Sequence, residues 1–309
     1  MITVSRSKAS DLPSDIIDTL TSDSFFGSIG FGRLWTEMGG EPVYWAAEHS
    51  GRIVALLPGV EFGRKPVKRF QSMPDGCYGR LYFDNDKSLD RAQISAAIKK
   101  AIAGAGYARS FIYDFYGNFA EDSDYTVQPC RTLTVNISDS DWQPPDKKLQ
   151  SEIRKAVREK VEFRRFDLSR HLDRFITLME DTEKRHGREP KYSRSFFQAL
   201  AKLAQSDKRI IWYWCEHEGK PVTSHINFIE SAMALNWQVY YDKAFSFLKA
   251  NQLLLTALAS EAREQGAVKL NLGASPPEAG SLAKYKAKWG GVDYEYSCHR
   301  RQSILGKAL

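Results

Sequence analysis

Three stretches of the sequence carry residue types whose spacing can do chemistry. The first runs from Lys147 to Arg165, where Arg154, Lys155 and Arg158 recur in a segment of helical spacing. Guanidinium groups on one helix can hold an anionic ligand bidentately. A solvated basic face is the plainer reading of such a helix. The second stretch runs from Leu270 to Gly291. In it Asn271, Gly273 and Ser275 stand at and after a strand end, and Tyr285 sits among Lys284, Lys286 and Lys288. Loops after strand ends hold ligands in α/β sheets, and a helix starting there favours an anion. The three lysines alternate, so a helix cannot point all of them at one ligand. The third stretch is a pair of strands, one with His225 and one ending in Tyr240-Tyr241-Asp242. His225 alternates with Thr223 and Asn227, which puts three polar side chains on one strand face. A histidine titrates near neutrality and suits proton transfer when such a face lines a cleft; a lone strand histidine is more often structural.

These groups need elements to position them. In the first half, apolar spacing predicts helices over 12–20 and 28–38, the second stopped by Gly39-Gly40. Strands follow over 43–48 and 52–60 around His49-Ser50-Gly51, with a third over 80–83. A helix over 88–103 and strands over 110–115 and 131–137 close that half. The second half reads as helices over 148–160, 172–186 and 193–205, with Ser193 as a cap. On the first of these Leu149, Ile153, Ala156 and Val157 make the buried stripe. Strands over 209–216, 222–229 and 234–241 follow, the first two joined at Glu218-Gly219-Lys220, and Trp212, Tyr213 and Trp214 read as core or cleft wall. A helix over 247–265 ended by Gly266, a strand over 268–272, a helix over 281–288 and a strand over 293–299 complete the chain.

The two halves share an order: helices, a three-strand meander, a helix, a strand and a late strand. Such a repeat of about 150 residues implies two similar domains. Between them Asp-Ser-Asp-Trp-Gln-Pro-Pro-Asp, residues 139–146, has the turn chemistry of a linker. The expected domains are therefore 1–140 and 147–309.

The 309 residues are 42% hydrophobic and 27% charged, which excludes a largely disordered chain or a coiled-coil rod. No run approaches the roughly 18–20 apolar residues of a membrane helix, and Met-Ile-Thr-Val-Ser-Arg-Ser-Lys lacks a secretory core, so a cytoplasmic location is expected. Cys77, Cys130, Cys215 and Cys298 stand far apart with no C-x-x-C pair, which argues for buried thiols rather than a metal site. A net charge of +6 favours anionic partners. The sequence holds no G-x-S-x-G, no G-x-x-x-x-G-K-[ST], no H-E-x-x-H and no G-x-G-x-x-G. Hydrolase, P-loop and dinucleotide readings drop accordingly.

Ile153-Arg154-Lys155-Ala156, Gly219-Lys220-Pro221-Val222, Asn271-Leu272-Gly273 and Tyr285-Lys286-Ala287-Lys288-Trp289-Gly290, in that order, resemble the Fem-type branch of the GNAT acyltransferase superfamily. The resemblance implies an α+β fold of two tandem GNAT-like domains, each a mixed, mostly antiparallel sheet flanked by helices. It implies transfer of an acyl or aminoacyl group onto an amine, since known members build peptide bridges of cell-wall precursors from charged tRNA. No cofactor is expected to stay bound; the co-substrate is aminoacyl-tRNA or acyl-CoA. The acceptor is an anionic small molecule, with charged tRNA as a further partner, and an acyl-carrier protein or a non-catalytic anion-binding role stand as alternatives. Lys286 falls on the family lysine that stabilises negative charge near the reaction centre, and Tyr285 replaces the adjacent Phe. Arg154 falls on the basic position contacting the anionic substrate, with Arg158 and Tyr240, Tyr241, Asn271, Gly273 and Ser275 as further binding residues. Asn271 stands where aspartate is frequent. The base is His225, Asp242 or the substrate's own phosphate. After the 234–241 strand the loop Asp-Lys-Ala-Phe-Ser-Phe-Leu-Lys-Ala-Asn lacks the [QR]-x-x-G-x-[GA] pyrophosphate loop, which argues against ordinary coenzyme A binding.

Overall fold

The structure, a computed structural model, describes residues 1–74, 76–86, 88–275, 280–304 and 306. Two compact units emerge: Met1–Cys130 with Glu295–Leu309, and Arg131–Tyr294.

The first unit opens with β1 (Ile2–Lys8), α1 (Ser14–Leu20) and α2 (Ile29–Leu34). Ser28 caps α2 by accepting from the Phe31 amide, and a 3-10 turn (Trp35–Met38) ends at Gly39 with φ of 71°, a value glycine holds at low cost. Strands β2 (Gly40–His49), β3 (Arg52–Phe62) and β4 (Arg69–Gln71) form an antiparallel meander, and β5 (Tyr82–Phe83) pairs with β3. Helix α3 (Arg91–Gly104) then crosses to β6 (Arg109–Asp114), which runs parallel to β4. Parallel neighbours require such a crossover. Ile94, Ile98 and Ile102 of α3 share a face and pack with Trp45, Leu57, Phe70 and Ile112.

The second unit repeats this order. Strand β7 (Thr126–Asn136) enters it, and α4 (Lys147–Arg158), β8 (Glu162–Arg165), α5 (Leu168–Arg185) and α6 (Arg194–Ala204) follow. Ser193 caps α6, accepting from the Phe196 amide. Strands β9 (Ile210–His217), β10 (Lys220–Glu230) and β11 (Met233–Tyr241) are antiparallel. A 3-10 segment (Lys243–Leu248) and α7 (Ala250–Glu264) lead to β12 (Lys269–Asn271), parallel to β11. Helix α8 (Gly280–Ala287) and β13 (Val292–Gln302) come last. Leu254, Leu255, Leu258 and Ala262 of α7 share a core with Ile211, Val222, Leu270 and Trp289.

Strand order is the same in both units: β1-β2-β3-β4-β6 in the first, β8-β9-β10-β11-β12 in the second. Each sheet has a sixth strand, antiparallel to its fifth, drawn from the other half of the sequence. Residues 297–302 of β13 lie on β6, and residues 134–136 of β7 lie on β12. The fold is thus α+β, with two tandem sheets of one mixed, mostly antiparallel topology.

Several expectations change. The 139–146 stretch lies inside the second unit, where Asp146 caps α4 by accepting from the Leu149 amide at 2.8 Å. Sheet membership, not linker composition, divides the chain. The third meander strand of the first unit is β4; of the 80–83 stretch only Tyr82 and Phe83 pair. Strands β1 and β8 were not anticipated. The 247–265 helix begins at Ala250, after the 3-10 segment. Val157 is 60% exposed, because eight residues after Leu149 it stands about 80° round the helix axis from the buried stripe. The four cysteines are free, and Cys130 is half-exposed rather than buried. Among the described residues no helix is long and apolar enough to cross a membrane.

Candidate active site

Strands β11 and β12 pair over only three residues, Met233 to Leu235 against Lys269 to Asn271. Strand β11 continues to Tyr241 while β12 ends, so the parallel strands part and leave a notch. Along the notch, positions 236–239 of β11 are half-buried, whereas 233–235 are buried. Trp237 is the extra residue of a bulge, since Ile226 and Asn227 of β10 pair with Gln238 and Asn236. A bulge bends its strand and sharpens the twist.

The end of β12 is built from three residues of the second stretch. Asn271 is buried, and its Oδ1 accepts from the Gly273 amide at 2.8 Å and from Thr132 Oγ1 at 2.5 Å. Gly273 has φ of 75° and turns the chain. Its carbonyl accepts from Lys286 Nζ at 2.9 Å, and the Ala274 carbonyl accepts from the same ammonium at 2.7 Å. Lys286 is 7% exposed; Lys284 on the same helix is exposed, and Lys288, just past the helix end, is half-buried. One lysine of the three enters, in keeping with the expectation that not all three could turn to one ligand. Burial brings the Lys286 pKa down to about 8, so the ammonium stays charged at pH 7. Tyr285 lies edge-on to Trp289 at 6.2 Å, and burial pushes its hydroxyl up to about 12.

The third stretch is arranged differently. Thr223, His225 and Asn227 do share a face of β10, but the first turn of α7 closes it. His225 Nε2 is 3.0 Å from Asn251 Oδ1, which also accepts from Thr223 Oγ1 at 2.6 Å. Asn227 Oδ1 accepts from Asn236 Nδ2 at 2.7 Å. Burial lowers the His225 pKa to about 4, leaving a neutral imidazole at pH 7. Tyr240 is core, with its ring 5.5 Å from Phe175 and 6.2 Å from Phe197. The Tyr241 backbone is held by α5: its carbonyl accepts from Arg185 at 2.9 Å, and its amide donates to Thr182 Oγ1 at 3.1 Å. Asp242 caps the 3-10 segment, accepting from the Ala244 amide at 2.8 Å, and faces a cavity of about 480 Å³ with Arg174, Asp181 and Arg185.

Arg154 and Arg158 are exposed on α4. Ser275 is half-buried; Pro276, Pro277, Glu278 and Ala279 of the expected loop lie outside the described residues. The structure therefore gathers Asn271, Gly273, Lys286 and Tyr285 and leaves His225, Tyr240 and Asp242 to other duties. Sequence reasoning missed Thr132 and Asn251. Asn251 is the second residue of α7, a place where a polar side chain is a signal of local bonding.

A cavity of about 640 Å³ lies in the first unit, lined in part by Arg52, Arg80, Asp23 and Asp84. Of its three arginines, Arg80 pairs with Asp23 at 2.5 Å, Arg52 pairs with Asp84 at 3.3 Å, and Arg91 lies over the Phe83 ring. Size alone does not make it the reaction centre, so the notch beside Lys286 is taken as the candidate.

Residues 146–287 match the family model of the acetyltransferase (GNAT) domain. No curated protein matches the sequence. Among solved structures the chain is similar to FemX, with a TM-score of 0.70 at 13% identity, covering 95% of this chain and 96% of that one. It is similar to L-PGS from Bacillus licheniformis, with a TM-score of 0.60 at 14% identity over 94% and 93%. A tandem GNAT protein from the clavulanic acid biosynthesis pathway gives 0.54 at 10% identity over 97% and 98%. At such identities these likenesses establish the fold.

Proposed function

We propose that this chain, an acyltransferase whose residues 146–287 form a GNAT domain on a Fem-type tandem fold, moves an activated acyl or aminoacyl group onto an amine of an anionic cell-wall or envelope-glycan precursor. The observation that carries this reading is the parting of β11 and β12 beside the buried, doubly anchored Lys286.

An extended donor chain can lie along the edge of β11 as an added strand would. The Tyr241 edge groups are taken by α5, so Val239, two residues earlier and facing the same way, is the position offered. The acceptor amine adds to the donor carbonyl carbon, and a tetrahedral oxyanion forms. The C–O or C–S bond then breaks, the leaving group departs with the electron pair, and the amine's proton passes to the acceptor's own phosphate or to water. Lys286 has three N–H donors and gives two to backbone carbonyls. The third, with the fixed positive charge, is the proposed oxyanion partner. His225 does not support a base role, because burial lowers its pKa to about 4, making it a weak base, and Nε2 is bonded to Asn251. Asp242 lies seven residues beyond Leu235, on the order of 20 Å along a strand. Arg154 and Arg158 are the proposed contacts for the acceptor's anionic part. The Fem-type resemblance supports the acceptor class.

The test is amide formation by the purified chain. Acyl-CoAs and charged tRNA are offered as donors with a nucleotide-linked muropeptide as acceptor, and products are read by mass spectrometry. A new amide, lost in Lys286→Met, supports the reading. No product with any pair, or product undiminished in Lys286→Met, refutes it.

A further inference from the structure

A carboxylate from a second helix closes the first turn of α7. Glu152, on α4, places Oε1 3.1 Å from Lys249 Nζ and accepts at Oε2 from Gln252 Nε2 at 3.2 Å. Lys249 is the residue from which α7 starts; its φ is 59°, and no side chain caps the helix there. The leading N–H groups of a helix of 15 residues carry the positive end of its dipole. That end comes after β11 and the 3-10 segment that follows it, and it is the sort of place where a phosphate would be held. Here a negative charge of the chain's own stands beside it, and the lysine that could meet a phosphate is already paired. The approach offers no alternative cradle. Residues 242–251 contain no glycine, and the Phe245 and Lys249 amides donate inward to Asp242 and Ser246.

We infer that Glu152 is a specificity-determining residue that turns carriers of the coenzyme A class, with their pyrophosphate, away from the start of α7. The inference rests on the reading that the donor lies along β11. The donor class it leaves is an ester or thioester that brings no pyrophosphate to this turn. Glu152 acts through repulsion and by holding Lys249, and it need not touch the reacting atoms.

The experiment is calorimetric titration of the full chain with coenzyme A itself at low salt. Wild type, Glu152→Gln and the double variant Glu152→Gln/Lys249→Met are compared, with circular dichroism and melting to confirm folding. Glu152→Gln keeps the side chain's shape while removing its charge and freeing Lys249. Coenzyme A affinity is expected to rise on the order of tenfold in Glu152→Gln, with the gain shrinking as salt is added and vanishing in the double variant. Equal or weaker binding in folded Glu152→Gln, including no detectable binding, overturns the inference. Because the readout is binding without turnover, its failure is distinct from failure of the proposed function, which would appear as no amide from any donor.

Discussion

The side-chain carbonyl of Asn271 lies 2.8 Å from the amide of Gly273, so the last residue of β12 caps its own continuation. The same oxygen takes the Thr132 hydroxyl, which fixes the turn that presents two carbonyls to Lys286. Asn271→Leu leaves a buried amide and a buried hydroxyl without their acceptor, at about 1–3 kcal/mol each. Urea melts are expected to show that loss, and turnover is expected to fall with it. Asn271→Asp still accepts both bonds and is expected to retain most stability; an equal loss in both variants would contradict the capping role.

Lys286→Met is expected to lower kcat by about two to three powers of ten, the scale of losing one oxyanion donor, with KM little changed. In the proposed oxyanion role the charged form is the active one, and burial brings its pKa to about 8, so kcat should fall as pH rises through 8. A rate that climbs through that range would assign Lys286 a base role instead. Stability should move the other way. The unfolded lysine keeps its proton up to 10.5 while the folded one releases it near 8, so folding gains between those values. Urea melts at pH 8 and 10 should show that gain in wild type and not in Lys286→Met.

His225 gives a pH dependence at the acid end. Its folded pKa is depressed by burial from 6.5 to about 4, so the stability it contributes is present above 6.5 and is lost as pH falls toward 4. Comparing melts at pH 7 and 4.5 for wild type and His225→Asn isolates the effect. The acid loss should be smaller in the variant; an equal loss would place it on other groups.

Leu258 is fully buried in the core under α7. Leu258→Ala is expected to cost about 2–5 kcal/mol, read as a lower denaturation midpoint. A cost below about 1 kcal/mol would mean the core refills the space.

The sequence is most legible where local chemistry decides the outcome. The hairpins at Ser50-Gly51 and Glu218-Gly219 form because both residues of each turn adopt positive φ, as tight hairpins demand. Ser193 caps α6 for an equally local reason. Edge strands were harder. Strand β1 reads Ile-Thr-Val-Ser-Arg-Ser-Lys and turns polar after Val4, and β8 is four residues with one apolar side chain. Neither has the pattern of a strand buried on both sides. At the candidate site the types and order of Asn271, Gly273 and Lys286 could be read, and the alternation of lysines showed only that not all three could face one ligand. The bond from Lys286 back to Gly273 could not be read, because it depends on how the intervening loop closes. The polar face of β10 was legible as a face; that α7 seals it is a tertiary fact.

The sixth strand of each sheet has a consequence for biosynthesis. A chain made from its N-terminus emerges with β6 complete after residue 114, yet β6 lacks its outer neighbour until residues 297–302 follow. For most of translation the nascent first sheet carries an open edge, the kind of surface that recruits foreign strands. The second sheet has no such wait, since β7 is made before β12. Vectorial synthesis thus lets the second sheet close once β12 is made and makes the arrival of β13 the closing step for the first.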